Sequence, residues 1–284
     1  MEQVYDLLDD VIDLHIHSSP DIFPRRVDDL EAAQDAKSVG MKAILIKCHV
    51  AQTADRAALV AKAVPGVKVF GSLCLDVASA GGLNLDAVKT AIALGAKEIW
   101  MPTIDAENHI RYYGGDMAKA IPVVRRGELV PEMVPILMTI AEADVILGTG
   151  HLAPNEIEVL VEEACKYGVK KILVTHPEFE VVNMSVDTMK RLTKKDAYLE
   201  FCFFSILNLG FMGKRNLRTA KEVADMIREV GAGSVVMSSD YGNVFLPPPI
   251  EGYRMYMTVM KAEGIPQQDL DLMTKTNPEK LLGI

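Results

Sequence analysis

The sequence is poor in cysteine, with only four widely spaced residues: Cys48, Cys74, Cys165 and Cys202. No two of them form a CxxC pair. Three stand in apolar, strand-like stretches, where a free cysteine behaves as a small buried hydrophobic residue. The spacing therefore argues against a redox motif or a zinc finger and predicts structural thiols.

The sequence also has no excess of basic charge, and we expect neither a leader nor a membrane span. The formal net charge is -9 and the pI is about 5.2, which argues against broad nucleic-acid binding but leaves room for a local basic pocket that holds a small anion. The first ten residues are acidic and have neither the basic flank nor the apolar stretch of a signal peptide. No apolar run approaches the roughly 18 residues of a membrane span. We expect a cytoplasmic protein with a small-molecule substrate and no membrane or nucleic-acid partner, and a homo-oligomer stays open.

The chain is instead rich in short apolar runs. It has 284 residues, near the roughly 250 of an α/β barrel, and 49% of them are hydrophobic. Continuous apolar runs are typical of strands covered on both faces of a parallel sheet. Eight such runs recur along the chain: Val11–His15, Lys42–Lys47, Lys68–Cys74, Glu98–Met101, Val145–Thr149, Lys171–Thr175, Tyr198–Phe203 and Ser234–Ser239.

Segments with helical periodicity separate these runs. The clearest begins at Pro154, ends before Gly168, and places Ile157, Leu160, Val161, Ala164 and Cys165 on one face. Eight strands alternating with helices predict a single-domain (β/α)8 TIM barrel over residues 1–284, with an open doubly wound sheet as the alternative.

A long irregular stretch follows the predicted fourth strand, from Thr103 to about Glu128. In a compact domain such a loop is more often a lid or a binding loop than filler. We therefore expect it to cover the site.

Polar residues fall at the ends of the predicted strands. His15 and His17 close the first strand, and their spacing of two puts both side chains on one face. Further polar side chains close other strands: Lys47, His49, His151, His176 and Asp240. Because a barrel builds its active site at this rim, we expect these side chains to converge. Imidazole and carboxylate groups suit Zn²⁺, with Mn²⁺ or Fe²⁺ as alternatives, so the pattern predicts a site for one or two metal ions.

These motifs resemble the amidohydrolase superfamily of metal-dependent hydrolases. The resemblance lies in the Asp-Leu-His-Ile-His opening, the histidines after strands five and six, the late Ser239-Asp240-Tyr241 and the closing segment 276–283. It implies His15, His17, His151 and Asp240 as metal-site residues. His176 would be a ligand of a second metal or an electrophilic, proton-transferring group.

The fourth strand departs from that family. Its two-metal members usually carry a bridging carboxylated lysine or a glutamate there, whereas this chain reads Trp100-Met101-Pro102-Thr103. Glu98 lies too early in the strand to be an easy substitute. Lys47 could be a displaced bridge or a substrate contact, with His49 beside it. One tightly bound metal is therefore favoured over two.

Anion-binding candidates lie on loops that should overhang the mouth. Arg25 and Arg26 follow the first strand, and Lys214, Arg215 and Arg218 follow the seventh. An arginine fork there could hold a carboxylate or a phosphate, although ordinary surface charge explains each residue as well.

The sequence therefore predicts a hydrolase in which a water activated by the metal attacks an amide, lactone or ester bond of a small anionic substrate. Asp240 would shuttle the proton, and His176 would polarise the substrate. Three alternatives remain: a metal-dependent decarboxylase, a phosphoesterase, and a non-catalytic barrel that binds a metal or ligand.

Overall fold

The structure is a computed structural model that describes residues 7–207 and 218–284. Its main sheet has eight strands, all parallel to their neighbours, in the order β1-β2-β3-β4-β7-β8-β9-β10. A two-stranded antiparallel hairpin, β5-β6, lies outside this sheet. The strands are β1 Ile12–His17, β2 Ala43–Lys47, β3 Lys68–Cys74, β4 Glu98–Trp100, β5 Val124–Arg125, β6 Glu128–Leu129, β7 Ile146–Gly148, β8 Ile172–Thr175, β9 Tyr198–Cys202 and β10 Val235–Ser238.

The sheet closes on itself between its first and last strands. The backbone N–H of His17 donates to the carbonyl oxygen of Tyr241 at 2.7 Å, and the N–H of Asp240 donates to the carbonyl of His15 at 2.9 Å. Closure confirms the predicted (β/α)8 barrel over the open-sheet alternative. Because these bonds join the residues that carry the candidate ligands, closure also brings the two strand ends together.

Helices cover the outside of the barrel, and capping residues in the sequence start several of them. Asp28 and Thr219 each form a capping box with a glutamate three residues later. The helices are α1 Asp29–Ser38, α2 Ala54–Ala63, α3 Val77–Ala80, α4 Leu85–Ala93, α5 Glu107–Tyr113, α6 Met133–Ala143, α7 Pro154–Lys166, α8 Val186–Thr193, α9 Ala220–Val230, α10 Pro249–Ala262, α11 Gln267–Asp271 and α12 Asn277–Leu282. None of the helices within the described ranges is long and apolar enough to cross a membrane.

Helix α7 matches its predicted bounds and buries Ile157, Leu160, Val161 and Ala164. Cys165, which the periodicity placed on the same face, is exposed instead, because it lies at the edge of that apolar stripe. The other three cysteines are buried and free.

The stretch predicted to be irregular after β4 contains regular structure. It holds α5, a short 3-10 helix at Met117–Lys119 and the β5-β6 hairpin. These elements are short, so they leave little periodicity in the sequence. Helix α5 is the one that reaches the barrel mouth, where its Ile110 and Tyr113 line the cavity described below.

The hydrophobic core has two parts. A large cluster fills the space between the strands and the helices, and a smaller cluster fills the barrel itself. Ile12, Leu14 and Trp100 belong to the inner cluster, which is completed by Leu281 and Leu282 of the C-terminal helix α12. The interior below the mouth is therefore packed, and the functional groups are confined to the carboxyl ends of the strands.

Candidate metal centre

The mouth of the barrel encloses a cavity of about 580 Å³. All six histidines of the chain lie in it or directly against it: His15, His17, His49, His109, His151 and His176. Neighbouring rings in this group lie between 4.8 and 6.1 Å apart, measured between centroids. Convergence of these residues from five separate parts of the chain marks the mouth as the candidate functional site.

Three side chains, those of His15, His17 and Asp240, bring possible ligand atoms within 4.8 Å of one another. The Nε2 atoms of His15 and His17 lie 3.1 and 3.2 Å from the same oxygen, Oδ1 of Asp240. Both histidines are buried, and the Asp240 side chain is 14% exposed. Two imidazole nitrogens and one carboxylate oxygen in such close contact are a donor set that fits a divalent cation with an open position. The residues present therefore fit the metal that the sequence predicts.

Charge distribution around this group favours an ionised Asp240. Burial alone would raise the pKa of Asp240, but His15 and His17 hold it well below the ordinary value of an aspartate. Burial and the neighbouring Arg25 lower the pKa of His17 to about 3. For His15, burial lowers the pKa but Asp240 outweighs it, and the net pKa is raised.

His15 is oriented from below by a second carboxylate. Its Nδ1 atom lies 3.2 Å from Oε2 of Glu200, which stands in β9 and is fully buried. Metal-binding histidines commonly donate their other ring N–H to a carboxylate, which fixes the ring and raises its basicity. Glu200, which the sequence reasoning missed, occupies that supporting position. Its polar side chain in the middle of an apolar strand was the available signal.

Lys47 stands beside the same histidine. Its Nζ atom is 3.0 Å from Nε2 of His15 and 4.2 Å from the centroid of the Trp100 ring, and the residue is 1% exposed. Lys47 therefore lies within reach of both roles predicted for it, a bridge to the metal or a contact with substrate.

Strand β4 supplies no ligand at its end. Trp100 lies there, with its ring 4.9 Å from that of His15. Glu98 is fully buried inside the barrel and does not line the mouth. Burial and the neighbouring Glu200 raise its pKa well above the ordinary value. The sequence-based expectation that Glu98 is too early in the strand agrees with this placement.

His49 is held by the ends of the neighbouring strands. Its Nδ1 atom is 2.7 Å from the hydroxyl of Thr103, and that hydroxyl contacts Asp76 closely. Asp76 also accepts bonds from the backbone N–H groups of Thr103 and Asp105, at 2.7 and 3.1 Å. The ring of His49 is stacked on that of His17 at 4.9 Å. His49 is thus ordered at the cavity wall, in a position to contact substrate.

His151 does not belong to the tight group of His15, His17 and Asp240. Its Nδ1 atom lies 2.8 Å from Nδ1 of His109, a residue of α5 that the sequence reasoning did not count among the site residues. His176 lies on the other side of His151, with ring centroids 4.9 Å apart. The ligand set implied by the family resemblance is therefore divided into two neighbouring groups.

Two of the site residues have strained backbones. His176 has a φ of 25° and Asp240 has a φ of 53°. Residues other than glycine seldom adopt positive φ values. Both residues directly follow the carboxyl end of a barrel strand or lie one residue beyond it. Such strain is maintained only where surrounding structure fixes it, and it is concentrated at functional sites.

The anion-binding candidates are spread over three environments. Arg25 lines the cavity, but its guanidinium is paired with Asp21 at 2.8 Å and its Nη2 atom is 3.3 Å from Nδ1 of His17. Arg26 is exposed and does not line the cavity. Arg218 donates to Asn183 at 2.7 Å. Lys214 and Arg215 lie outside the described residues.

The sequence matches the model of one protein family over residues 10–200, and that family is described as DUF6282, a family of unknown function. No curated protein matches the sequence.

Solved structures with the same fold come from several kinds of enzyme. An amidohydrolase from Pseudomonas aeruginosa is 13% identical with a TM-score of 0.65, and the match covers 99% of this chain and 97% of that one. A 2,6-dihydroxybenzoate decarboxylase from Rhizobium is 12% identical with a TM-score of 0.59, covering 97% and 99%. An organophosphorus hydrolase from Deinococcus radiodurans is 12% identical with a TM-score of 0.61, covering 96% and 92%. The resemblance to the amidohydrolase superfamily is confirmed at the level of the fold.

Proposed function

We propose that this chain, which belongs to the DUF6282 family, is a metal-dependent hydrolase of the amidohydrolase type. Its substrate would be a small anionic molecule with an amide, lactone or ester bond. The observation that carries this proposal is the contact of His15 Nε2 and His17 Nε2 with a single oxygen of Asp240 at the barrel mouth. The enzymes with the same fold, which include hydrolases, support it.

The metal would be held by His15, His17 and Asp240, and zinc suits this nitrogen-rich set best, with manganese or iron as alternatives. A divalent cation at these ligands would supply Lewis acidity, which polarises a carbonyl group and makes water a stronger acid. Asp240, whose pKa is held well below the ordinary value by His15 and His17, would act as the general base. Glu200 keeps the ring of His15 in place.

His176 faces the cavity as a neutral imidazole, because burial lowers its pKa to about 3. A neutral ring in that position donates a hydrogen bond to a substrate oxygen without adding charge. His176 would therefore polarise the scissile group from the cavity wall.

The cavity wall sets limits on the substrate. Apolar side chains cover much of it, among them Phe23, Ile104, Ile110, Phe179 and Phe245. The Lys47 side chain is buried and lines the cavity, whereas Arg25 is already paired with Asp21. We infer a substrate with an apolar body and one anionic group that contacts Lys47.

Metal analysis of purified protein tests this function directly. We expect the wild type to carry metal, and His15→Ala to lose it while keeping its circular dichroism spectrum. A panel of amides, lactones and esters of apolar carboxylic acids should then show hydrolysis that stops on chelation and returns with zinc. Equally negligible metal in wild type and His15→Ala would contradict the proposal.

A decarboxylase is the second candidate, because the same barrel occurs in 2,6-dihydroxybenzoate decarboxylase. The end of β4 also favours it, since Trp100 stands there instead of a lysine or glutamate that could bridge two metals. Lys47 and the neutral histidines could then hold a substrate carboxylate in an apolar cavity. Release of carbon dioxide from aromatic acids, without incorporation of oxygen from labelled water into the product, would favour this candidate over hydrolysis.

A further inference from the structure

Two aromatic side chains at the edge of the cavity are exposed to solvent. Phe245 is 88% exposed and Phe23 is 41% exposed, yet both line the cavity. Among the exposed large apolar side chains of residues 7–207 and 218–284, only these two do so. We call the pair the aromatic rim. Since it joins the cavity wall to the protein surface, a molecule bound in the cavity can extend onto it.

A turn fixes the position of Phe245. The backbone N–H of Phe245 donates to Oδ1 of Asn243 at 3.1 Å, and the N–H of Leu246 donates to the carbonyl oxygen of Asn243 at 3.0 Å. Asparagine commonly stabilises a turn in this way. Leu246 is buried, and the segment 247–249 that follows consists of three prolines, which restrict the backbone. The turn therefore holds the Phe245 ring at the surface although burial would be favourable for it.

Phe23 is fixed by contacts with polar neighbours. Its ring meets that of His49 edge-on, with centroids 6.5 Å apart, and the guanidinium carbon of Arg25 lies 5.7 Å from its centroid. The loop that carries Phe23 is also bonded to the loop that carries Phe245, because the N–H of Arg26 donates to the carbonyl oxygen of Gly242 at 2.8 Å. The aromatic rim is therefore one connected feature of the fold.

Apolar side chains continue from the aromatic rim into the cavity. Ile104, Ile110 and Phe179 belong to its wall. Lys47, by contrast, is buried. A bound molecule therefore meets this charged side chain in the buried part of the cavity and apolar surface as far as the exposed aromatic rim.

We propose that the substrate carries an unbranched hydrocarbon chain that leaves the cavity across Phe23 and Phe245, so that the protein selects long-chain, amphipathic molecules. The inference rests on the proposed function, which supplies the anionic group and the bond to be cleaved. A chain suits this site better than a compact group, because it reaches from the buried cation to the rings at the surface. Each methylene that the aromatic rim shields from water should tighten binding about three- to fourfold.

Binding of straight-chain carboxylates, from hexanoate to dodecanoate, tests the inference. Calorimetric titration below the micelle concentration of each acid gives the affinity as a function of chain length. We expect affinity to rise with chain length in the wild type. Phe245→Ala should bind hexanoate as the wild type does and bind dodecanoate on the order of tenfold more weakly. Phe245→Leu, which keeps an apolar side chain, should retain most of the dependence on chain length.

Leu59→Ala is the matched control. Leu59 is an exposed apolar residue on α2 that does not line the cavity, so this variant should match the wild type for every acid. Equal dependence on chain length in the wild type and Phe245→Ala would overturn the inference. So would an equal loss for all acids, since that loss would arise inside the cavity, or a wild type that does not bind dodecanoate.

Other occupants of the aromatic rim give different results. A dimer in gel filtration that Phe245→Ala dissociates would assign the rim to a second copy of the chain. Flotation with phosphatidylcholine vesicles that only the wild type shows would assign it to a membrane surface. Either result, without a dependence on chain length, would overturn the inference.

Failure of this inference and failure of the proposed function can be distinguished, because binding of the acids needs no turnover. A dependence on chain length that Phe245→Ala removes, in a protein that hydrolyses no ester, amide or lactone, would support the aromatic rim and contradict the hydrolase. Hydrolysis that is indifferent to chain length in wild type and Phe245→Ala would support the hydrolase and overturn the aromatic rim.

Discussion

At the scale of single residues, Asp240 combines contacts to two histidines with a negative charge, and a neutral side chain could not supply the charge. Its Oδ1 atom contacts Nε2 of both His15 and His17, and the two histidines keep its carboxyl group ionised despite burial. An amide of the same shape would keep the contacts of the fold but lose the negative charge and the capacity to accept a proton.

Asp240→Asn should therefore fold normally and fail in function. We expect hydrolysis to fall by about 10²–10⁴-fold, the range for loss of a general base, and zinc affinity to weaken because a charged ligand is lost. Activity against a substrate from the panel, together with metal content at limiting zinc, measures both effects. Asp21→Asn is unsuitable as a control because it frees Arg25; Asp225→Asn, at an exposed ion pair on α9, should change neither quantity.

Gly148 makes room inside the barrel for a buried carboxyl group. A Cβ atom at this position would lie 2.5 Å from Oε1 of Glu98 and 2.8 Å from the Trp100 ring. Both neighbours are fully buried, so neither can move into solvent.

Gly148→Ala should lower the free energy of unfolding by about 1–3 kcal/mol, as overpacking does in a close-packed core. Urea denaturation followed by fluorescence of Trp100, the single tryptophan, measures it. Gly233→Ala is the control, because a Cβ there meets nothing within 4 Å. Equal stability of the two variants would show that the Glu98 side chain can move aside without lowering the free energy of unfolding.

At the scale of elements, Asp76 fastens the end of β3 to the segment after β4. It accepts bonds from the backbone of Thr103 and Asp105 and from the Thr103 hydroxyl, which in turn holds His49. Burial nevertheless raises the pKa of Asp76 to about 6, from 3.8. Ionisation of this carboxyl group is therefore easier in the unfolded chain than in the folded one.

The sign of the resulting pH dependence follows from that difference. Between about pH 4 and pH 6 the unfolded chain loses this proton while the folded chain keeps it, so stability falls as pH rises through this window. Asparagine mimics the protonated acid. The free energy of unfolding of Asp76→Asn, relative to wild type, should rise by on the order of 3 kcal/mol between pH 4 and pH 7. Urea denaturation at both pH values measures it, and a constant difference would contradict the assignment.

Sequence patterns could predict the barrel strands because each one is a continuous apolar run between turn residues. Their predicted bounds differ from the observed bounds by at most two residues, as at β1, which extends to His17. Helix α5 could not be predicted in this way. It has seven residues, too few for a clear period, and bonds from Asn108 to distant carbonyl groups hold it in place.

The same distinction applies to the site. His15, His17 and Asp240 could be identified because the ends of parallel strands meet at one rim. His109 could not, since its position depends on the packing of α5. Glu200 was missed although its carboxyl group interrupts the apolar strand β9, because its contact with His15 joins residues that are distant in sequence. The division of the histidines into two groups depends on side-chain geometry, which the order of residues along the chain does not specify.

At the scale of the whole molecule, one end of the barrel carries the candidate functional groups and the other end contributes to the hydrophobic core. All six histidines lie at the mouth, where the strands have their carboxyl ends, although His109 comes from α5. At the other end, helix α12 contributes Leu281 and Leu282 to the core inside the barrel. A surface groove at that opposite end is lined by both acidic and basic side chains, including Asp144, Lys171 and Lys280. Lys171 is paired there with Asp144 at 2.8 Å. Because the charges in this groove are of both signs and Lys171 is paired, we assign the groove a structural role rather than a binding role.

This separation predicts that stability and metal binding can be changed independently. Leu281 is 2% exposed, so Leu281→Ala should cost about 2–5 kcal/mol of unfolding free energy, through lost burial and the cavity left behind. Leu59→Ala, at a position 67% exposed on α2, should cost less than about 0.5 kcal/mol. Metal content at saturating zinc should stay at the wild-type value in both variants, because the ligands are fixed by hydrogen bonds at the other end of the strands. If Leu281→Ala lost metal while still folded, metal binding at the mouth would depend on core packing at the opposite end of the barrel. Stability and metal binding would then not be independent.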